Sequence, residues 1–397
     1  MRIALFTETF LSQVNGVAMT LGRLVQYWER QGIEFLVFAP DDRGQTADSE
    51  NIRRVLSLPF PLYPECRIPL YRYATIEKQL LEFQPDLIHL VTPFTLGLIG
   101  HRFGRRHKVP MVASYHTNFD QYIDYYCPGH QGALARLVPS MVQKMFWFYV
   151  SWFHNYCERN YCPSTATKEI LEEKGIRNVE IWSRGIDTAR FSPVCRNPLI
   201  RQKFGIDESK LLLLYVGRVA PEKDIDILLE SYRTLPQDVA DRVHLIVVGD
   251  GPLLSKMNRQ EHPNITWTGF LRGQELAEMY ASCDLFAFPS STETFGNVVL
   301  EAMASGLPVV GVESGGVVDI ISHMKNGLLC HPRSVESFRE GMNVLVRNDH
   351  LRLQMAHFAR TNGLKRSWDS IFDGLTESYR SAIQKETVLK RSVPGIK

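Results

Sequence analysis

Short uninterrupted apolar runs alternate along this chain with stretches whose apolar residues recur at helical spacing, and they do so in two successive series. The first series has the runs IALFT, EFLVFAP, DLIHLV and VPMVASYH; the second has KLLLLYVGR, RVHLIVVGD, NITWTGF, DLFAFPS and LPVVGV. Amphipathic stretches such as TLGRLVQYWERQG, DILLESYRTL and ELAEMYASC lie between them. A strand that is apolar on both faces must be covered on both, and a helix in each crossover makes its strands parallel. Two series therefore predict an α/β protein of two doubly wound, parallel-sheet, Rossmann-like domains. Ligands of such domains sit at the carboxyl ends of the strands.

At 397 residues the chain is too long for one ordinary core. The segment DTARFSPVCRNP, rich in Pro and polar residues, separates the two series. We expect an N-terminal domain over 1–190, a second domain over 191–365 and a terminal helix over 366–397. That helix carries Trp368, Ile371, Phe372, Leu375 and Tyr379 at helical spacing.

The formal charge of +2 gives no reason to expect nucleic acid as a partner. The seven cysteines are odd in number and form no C-x-x-C, which fits a reduced, cytoplasmic chain. His130, His154, Cys157 and Cys162 are spaced like no common zinc site, so buried cysteines and no metal are expected. MRIALFTETF lacks the features of a signal peptide and reads as a buried first strand. The aromatic run MFWFYVSWF has nine residues, against the roughly 20 that a membrane span requires.

Four stretches carry chemistry. TFLSQVNGVAMTLGRL follows the first strand and opens a helix. Gly16 sits at its turn, where a missing side chain admits a ligand or another domain, or serves the turn alone. The dinucleotide fingerprint G-x-G-x-x-G is absent, which argues against a nicotinamide cofactor. In ASYHTNFDQYIDYY, His116 stands just past a buried strand, as a functional residue or as a satisfied structural histidine.

In LLLLYVGRVAPEKDIDILLE, Arg218 and Lys223 flank a turn from strand to helix. A helix start already favours anions, so two cations there suit a diphosphate; a solvated charge pair is the plain alternative. Asp224 and Asp226 form a D-x-D behind them. Residues two apart on a helix do not share a face, so these read as acidic residues opening the helix rather than as a metal pair. In SSTETFGNVVLEAMASGLPVV, Glu293 lies in a loop and Glu301 in the following helix, which Gly296 and Asn297 open. Carboxylates there can accept hydrogen bonds from sugar or ribose hydroxyls, and amides at the helix start can meet a phosphate. Glu301 is set among Val298, Val299, Leu300, Ala302 and Met303, so it needs a partner.

GRVAPEKDID followed by ETFGNVVLEAMASGLPVV resembles the retaining glycosyltransferases of family 4. Glu293 and Glu301 meet the family's E-x7-E pattern, and DGP, GGVVDII and NGLL (Gly251, Gly315, Gly316, Gly327) recur in place. The resemblance covers nearly the whole chain, including Gly16 and His116. It implies the GT-B fold, with the two Rossmann-like domains facing a central cleft and the terminal helix crossing back to the first. It implies that Arg218 and Lys223 bind the diphosphate of a UDP- or GDP-sugar donor. Glu293 would contact the donor sugar, and Phe295, Gly296, Asn297 and Val298 would offer backbone groups. Glu301 would hold the ribose, His116 would stand near the reacting sugar, and Gly16 would admit the N-terminal loop to the diphosphate.

No cofactor or metal is expected. The implied reaction moves a hexose from a GDP-mannose or UDP-glucose type of donor to a hydroxyl of a lipid or cell-envelope glycan precursor. A nucleotide-sugar epimerase or hydrolase on the same fold, and a non-catalytic sugar-nucleotide-binding protein, are the competing readings. SYHTNFDQYIDYY and FHNYCERNYCPS resemble members with lipid-linked acceptors. The aromatic run and the basic cluster Arg102, Arg105, Arg106 and Lys108 add the expectation of peripheral contact with an anionic membrane, at its inner face.

Overall fold

The computed structural model describes residues 1–11, 16–41, 50–60, 63–69, 73–116, 133–254 and 262–392. Its first half is built on β1 (Arg2–Phe6), β2 (Glu34–Pro40), β3 (Ile52–Val55), a hairpin of β4 (Ser57–Phe60) and β5 (Tyr63–Pro69), β6 (Leu87–Leu90), β7 (Met111–Ser114), β8 (Arg159–Cys162) and β9 (Val179–Ile181). The hairpin apart, these strands form a seven-stranded sheet in the order β3-β2-β1-β6-β7-β8-β9, parallel throughout. Helices α1 (Gly16–Gln31), α2 (Tyr73–Phe83), α3 (Thr95–His107), α4 (Ala133–Asn155) and α5 (Thr165–Glu173) make the crossovers.

Strand β1 shows why the run IALF had to be apolar throughout. Ile3 and Leu5 face one core with Leu21, Leu24 and Trp28 of α1. Ala4 and Phe6 face the other with Leu80 of α2 and with Ile99 and Phe103 of α3. Successive side chains point to opposite faces, and both faces are covered.

The second half holds β10 (Leu211–Val216), β11 (Val243–Val248), β12 (Ile265–Gly269), β13 (Leu285–Phe288), β14 (Val309–Val312) and β15 (Gly327–Cys330). They form a six-stranded parallel sheet in the order β12-β11-β10-β13-β14-β15. Its helices include α6 (Ile225–Arg233), α7 (Gly273–Ser282), α8 (Asn297–Ala304), α9 (Val335–Arg347) and α10 (Asp349–Leu364). In both sheets the strand order reverses beside the first strand, between β1 and β6 and between β10 and β13. Such switch points open crevices at the strands' carboxyl ends.

Helix α11 (Trp368–Ser392) packs on the first sheet, not the second. Tyr379 Oη meets His89 Nδ1 at 2.6 Å and Tyr161 Oη meets Ser378 Oγ at 2.7 Å. The apolar runs did not mark β3, β8, β9, β15 or the hairpin. RNYC (β8) is polar in sequence, yet Asn160 is buried and satisfied by His154 and by the Arg177 carbonyl. β9 is a three-residue edge strand, and short edges carry little apolar signal.

Candidate active site

The loops that leave β10 and β13 meet at the second switch point. Residues 221–223 form one 3-10 turn after β10, with Lys223 at its end. Lys223 Nζ pairs with Glu293 Oε1 from the loop after β13. Thr292 Oγ1 donates to the Glu222 carbonyl at 2.8 Å. Arg218 Nη1 lies 3.4 Å from Glu222 Oε1, and the Glu222 side chain is buried while Arg218 is about a third exposed.

The D-x-D opens α6 as expected, with Asp224 at the N-cap position and Asp226 in the first turn, but Asp224 takes a left-handed conformation (φ 48°) and its side chain makes no cap bond. Its Oδ2 instead accepts from Ser291 N at 2.9 Å and Ser291 Oγ at 2.6 Å, and Arg333 Nε lies 3.6 Å from Oδ1. Asp224 is a clamp between the two loops, and Asp226 is exposed on α6. Gly315 holds the same loop from the far side: with φ at 60°, a Cβ there would come 2.3 Å from the Glu293 carbonyl.

Gly296, the residue before α8 and its N-cap, has a φ of 96° that suits glycine. Phe295 is buried in the core, so it can offer only its backbone to a ligand, while Asn297 and Val298 are half-buried. Glu301 Oε2 accepts from Tyr280 Oη at 3.0 Å. Burial pushes the Glu301 carboxyl up to about 7, against the Tyr280 hydrogen bond and the charges of Arg23 and Arg190, which favour ionisation.

The first half of the chain reaches the same place. A Cβ on Gly16 would lie 2.8 Å from Asn297 Nδ2, so the starts of α1 and α8 touch. Thr294 Oγ1 donates to the His116 carbonyl at 3.2 Å. The His116 ring is buried, rests 5.4 Å from Trp182 and accepts at Nδ1 from Arg184 Nη2 at 2.8 Å. Burial first, and then Arg184, hold its pKa well below the usual histidine range.

All the predicted positions therefore gather where the two sheets' carboxyl ends meet: Arg218, Lys223, Glu293 and residues 295–298 with Glu301 on one side, Gly16 and His116 on the other. Two residues were missed. Arg184 carries no local motif. Glu8, which follows β1, is buried, and its Oε1 accepts from Leu96 N at 2.5 Å at the start of α3. Burial pushes Glu8 up to about 8 despite the amides it accepts from. An acidic residue two positions past a buried strand is the signal the sequence offers.

Of the four residues weighed as a zinc set, three lie among the described residues. His130 lies outside the described residues; His154 Nδ1 is bonded to Asn160, and Cys157 and Cys162 are buried against backbone carbonyls. Of the acceptor-side stretch, the described residues reach only as far as His116.

Two cations at a switch point, with helix-start amides and two carboxylates nearby, are groups able to meet a phosphorylated, hydroxyl-rich ligand. Comparison with known proteins gives the family. Residues 14–190 match Glycosyltransferase Family 4, and residues 197–362 match Glycosyl transferases group 1. A GDP-mannose-dependent alpha-mannosyltransferase of Mycobacterium tuberculosis is 35% identical over 97% of this chain and 98% of that protein. An alpha-monoglucosyldiacylglycerol synthase of Streptococcus pneumoniae is 30% identical over 83% of this chain and 75% of that protein. The crystal structure of Anabaena HepE in complex with UDP shares the fold, with a TM-score of 0.73 at 20% identity over 96% of this chain and all of that one. The chain is an enzyme of the glycosyltransferase class, with the GT-B fold. It belongs to glycosyltransferase family 4.

Proposed function

We propose that this enzyme transfers a hexose, with retention and without a metal, from a nucleotide diphosphate sugar to a hydroxyl of a membrane lipid. GDP-mannose is the favoured donor because the mycobacterial relative is named for it, and a lipid acceptor is favoured because the streptococcal relative makes a glucosyldiacylglycerol. The observation that carries the reading is the pairing of Lys223 with Glu293 beside Arg218 at the second switch point. The hard step is departure of a nucleoside diphosphate from the anomeric carbon. Arg218 and Lys223 neutralise the charge that builds on the phosphate oxygens, and the start of α8 adds its amides. The acceptor hydroxyl attacks from the face the diphosphate leaves, and its proton passes to the leaving phosphate oxygen. Glu293 takes a sugar hydroxyl and Glu301 the ribose hydroxyls.

The flank of the first domain supports a membrane acceptor. Arg102, Arg105 and Arg106 of α3 line a depression of about 860 Å³ together with Tyr73, Leu98 and Trp152. Trp147, Val150 and Phe153 of α4 are buried, whereas Phe148 and Met145 are 77% and 68% exposed. Past residue 142, α4 thus turns one face to the core and another outward, and its Trp152 stands beside the arginines. Aromatic and basic side chains so arranged suit an anionic bilayer surface. No helix among the described residues is long and apolar enough to cross a membrane.

The test is a donor screen: thermal shift with GDP-mannose and UDP-glucose, then product mass with a membrane lipid extract. A hexosylated lipid formed from GDP-mannose is expected. A sugar changed or released from donor alone, with no acceptor product, would point to the epimerase or hydrolase instead.

A further inference from the structure

The His116 ring is held from one side by a group that can only donate. Arg184 Nη2 lies 2.8 Å from His116 Nδ1, and a guanidinium has five N–H donors and no acceptor. Nδ1 must then carry its lone pair, and a protonated imidazole, which has no lone pair on either nitrogen, does not fit the contact. The one ring proton is on Nε2, at the opposite edge, where no described residue meets it.

Arg184 is itself buried at the end of the first sheet, and among the described residues it pairs with no carboxylate. Its guanidinium stacks 5.2 Å from Trp182, the same ring that packs on His116. A buried cation without a counter-charge costs several kcal/mol, so its contact with His116 is not what packing alone would retain. The brace continues outward. Trp182 packs on His89 at 5.7 Å, His89 Nε2 meets Ser114 Oγ at 2.6 Å, and Tyr379 of α11 holds His89 Nδ1. Among the described residues, the titratable and charged groups that act on His116 are thus Arg184, His89 and His154, none of them a carboxylate.

We infer that Arg184 is a positioning residue that locks His116 as the neutral tautomer protonated on Nε2, so that His116 can give a hydrogen bond in the cleft but cannot take a proton. Under the proposed transfer reaction, on which the functional half of this inference rests, His116 then orients the donor sugar by donating to a hydroxyl oxygen. It is excluded as the base, and the acceptor's proton goes to the leaving phosphate.

The full chain labelled with ¹⁵N-histidine tests the tautomer without any substrate. The His116 signals are assigned by their absence in His116→Gln. The expected result is an Nδ1 without a proton and an Nε2 with one, unchanged between pH 8 and pH 5.5. Arg184→Lys, which keeps a donor, should preserve the pattern. Arg184→Met should give mixed tautomers that titrate in the ordinary histidine range. In that variant kcat should fall about tenfold or more, with loss on the acid side and a donor KM within a few-fold. A wild-type His116 that is protonated on Nδ1, or that titrates between pH 6 and 7, overturns the proposal. So does a folded Arg184→Met with unchanged signals. Should Arg184→Met fail to fold, the wild-type spectrum and Arg184→Lys still decide the question. Because the spectra need neither donor nor acceptor, a wrong substrate assignment would leave their outcome untouched.

Discussion

Gly16 and Asn297, the first residues of α1 and α8, meet with no room for a side chain between them: a Cβ on Gly16 would stand 2.8 Å from Asn297 Nδ2. Each half of the chain sends a helix start to the same point. In Gly16→Ala the Asn297 amide must rotate away, and the site loses a group set at its helix start. We expect kcat/KM to fall about tenfold with little change in Tm, since roughly 1.4 kcal/mol is a factor of ten. In an Asn297→Ala background the same substitution should cost almost nothing further, because the two effects share one contact. Additive losses in that double-mutant cycle would show that the contact is not the cause.

Glu301 sets a pH dependence with a definite sign. Its folded pKa is raised from 4.5 to about 7, so it is ionised only above that pH. Ribose hydroxyls bind best to the carboxylate, which accepts without donating. Calorimetry with GDP and UDP should show affinity falling as pH drops from 8 to 6. Glu301→Gln should bind more weakly at pH 8 and show a flat profile. A wild-type affinity independent of pH would remove Glu301 from the ribose.

Glu8 acts on stability through the same linkage. Burial raises its folded pKa from 4.5 to about 8, so between those values the unfolded chain has released a proton that the folded chain keeps. Stability is therefore lost as pH rises through that window, by an amount on the order of a few kcal/mol, and levels off above it. Glu8→Gln keeps an acceptor for Leu96 N and has no proton to lose. Thermal melts at pH 5, 6.5 and 8 should show a smaller decline in the variant and a higher Tm at pH 8. Parallel declines in both proteins would place the titration elsewhere.

The arginines of α3 stack on rings around their depression, Arg102 at 4.3 Å over Tyr73 and Arg105 at 4.3 Å over Tyr156. Each basic residue near an anionic surface is worth about 1 kcal/mol. Replacing both by Glu should cut binding to phosphatidylglycerol vesicles by about tenfold or more, leave phosphatidylcholine unbound as before, and spare GDP binding. Wild-type protein that does not sediment with anionic vesicles would contradict the membrane reading.

Much of the fold and the site is legible in the amino-acid sequence, for a reason that differs by residue. EFLVFAP forms β2 residue for residue because both of its faces are buried, so its whole signal is local. Arg218, Lys223 and Glu293 stand out because each lies between a strand end and a helix, and Glu301 because it is a carboxylate among apolar neighbours in the helix that follows. What stays hidden acts across distance in the chain. Arg184 matters through His116, 68 residues away, and Asp224 through Ser291, 67 away. Asp224 in particular has the pattern of an ordinary helix opener, and only the fold shows its carboxylate turned to the neighbouring loop.

Lys223 bears most directly on the central claim, that a lysine and an arginine at the second switch point take the diphosphate. Its pairing with Glu293 places the cation beside the loop assigned to the donor sugar. Steady-state transfer by Lys223→Ala, with GDP-mannose and lipid extract, is the decisive measurement, with circular dichroism and a thermal melt to show an intact fold. Loss of transfer by about a hundredfold or more is predicted, since a fixed cation stabilises developing charge in a site shielded from water. Unchanged turnover by a folded Lys223→Ala protein would contradict it.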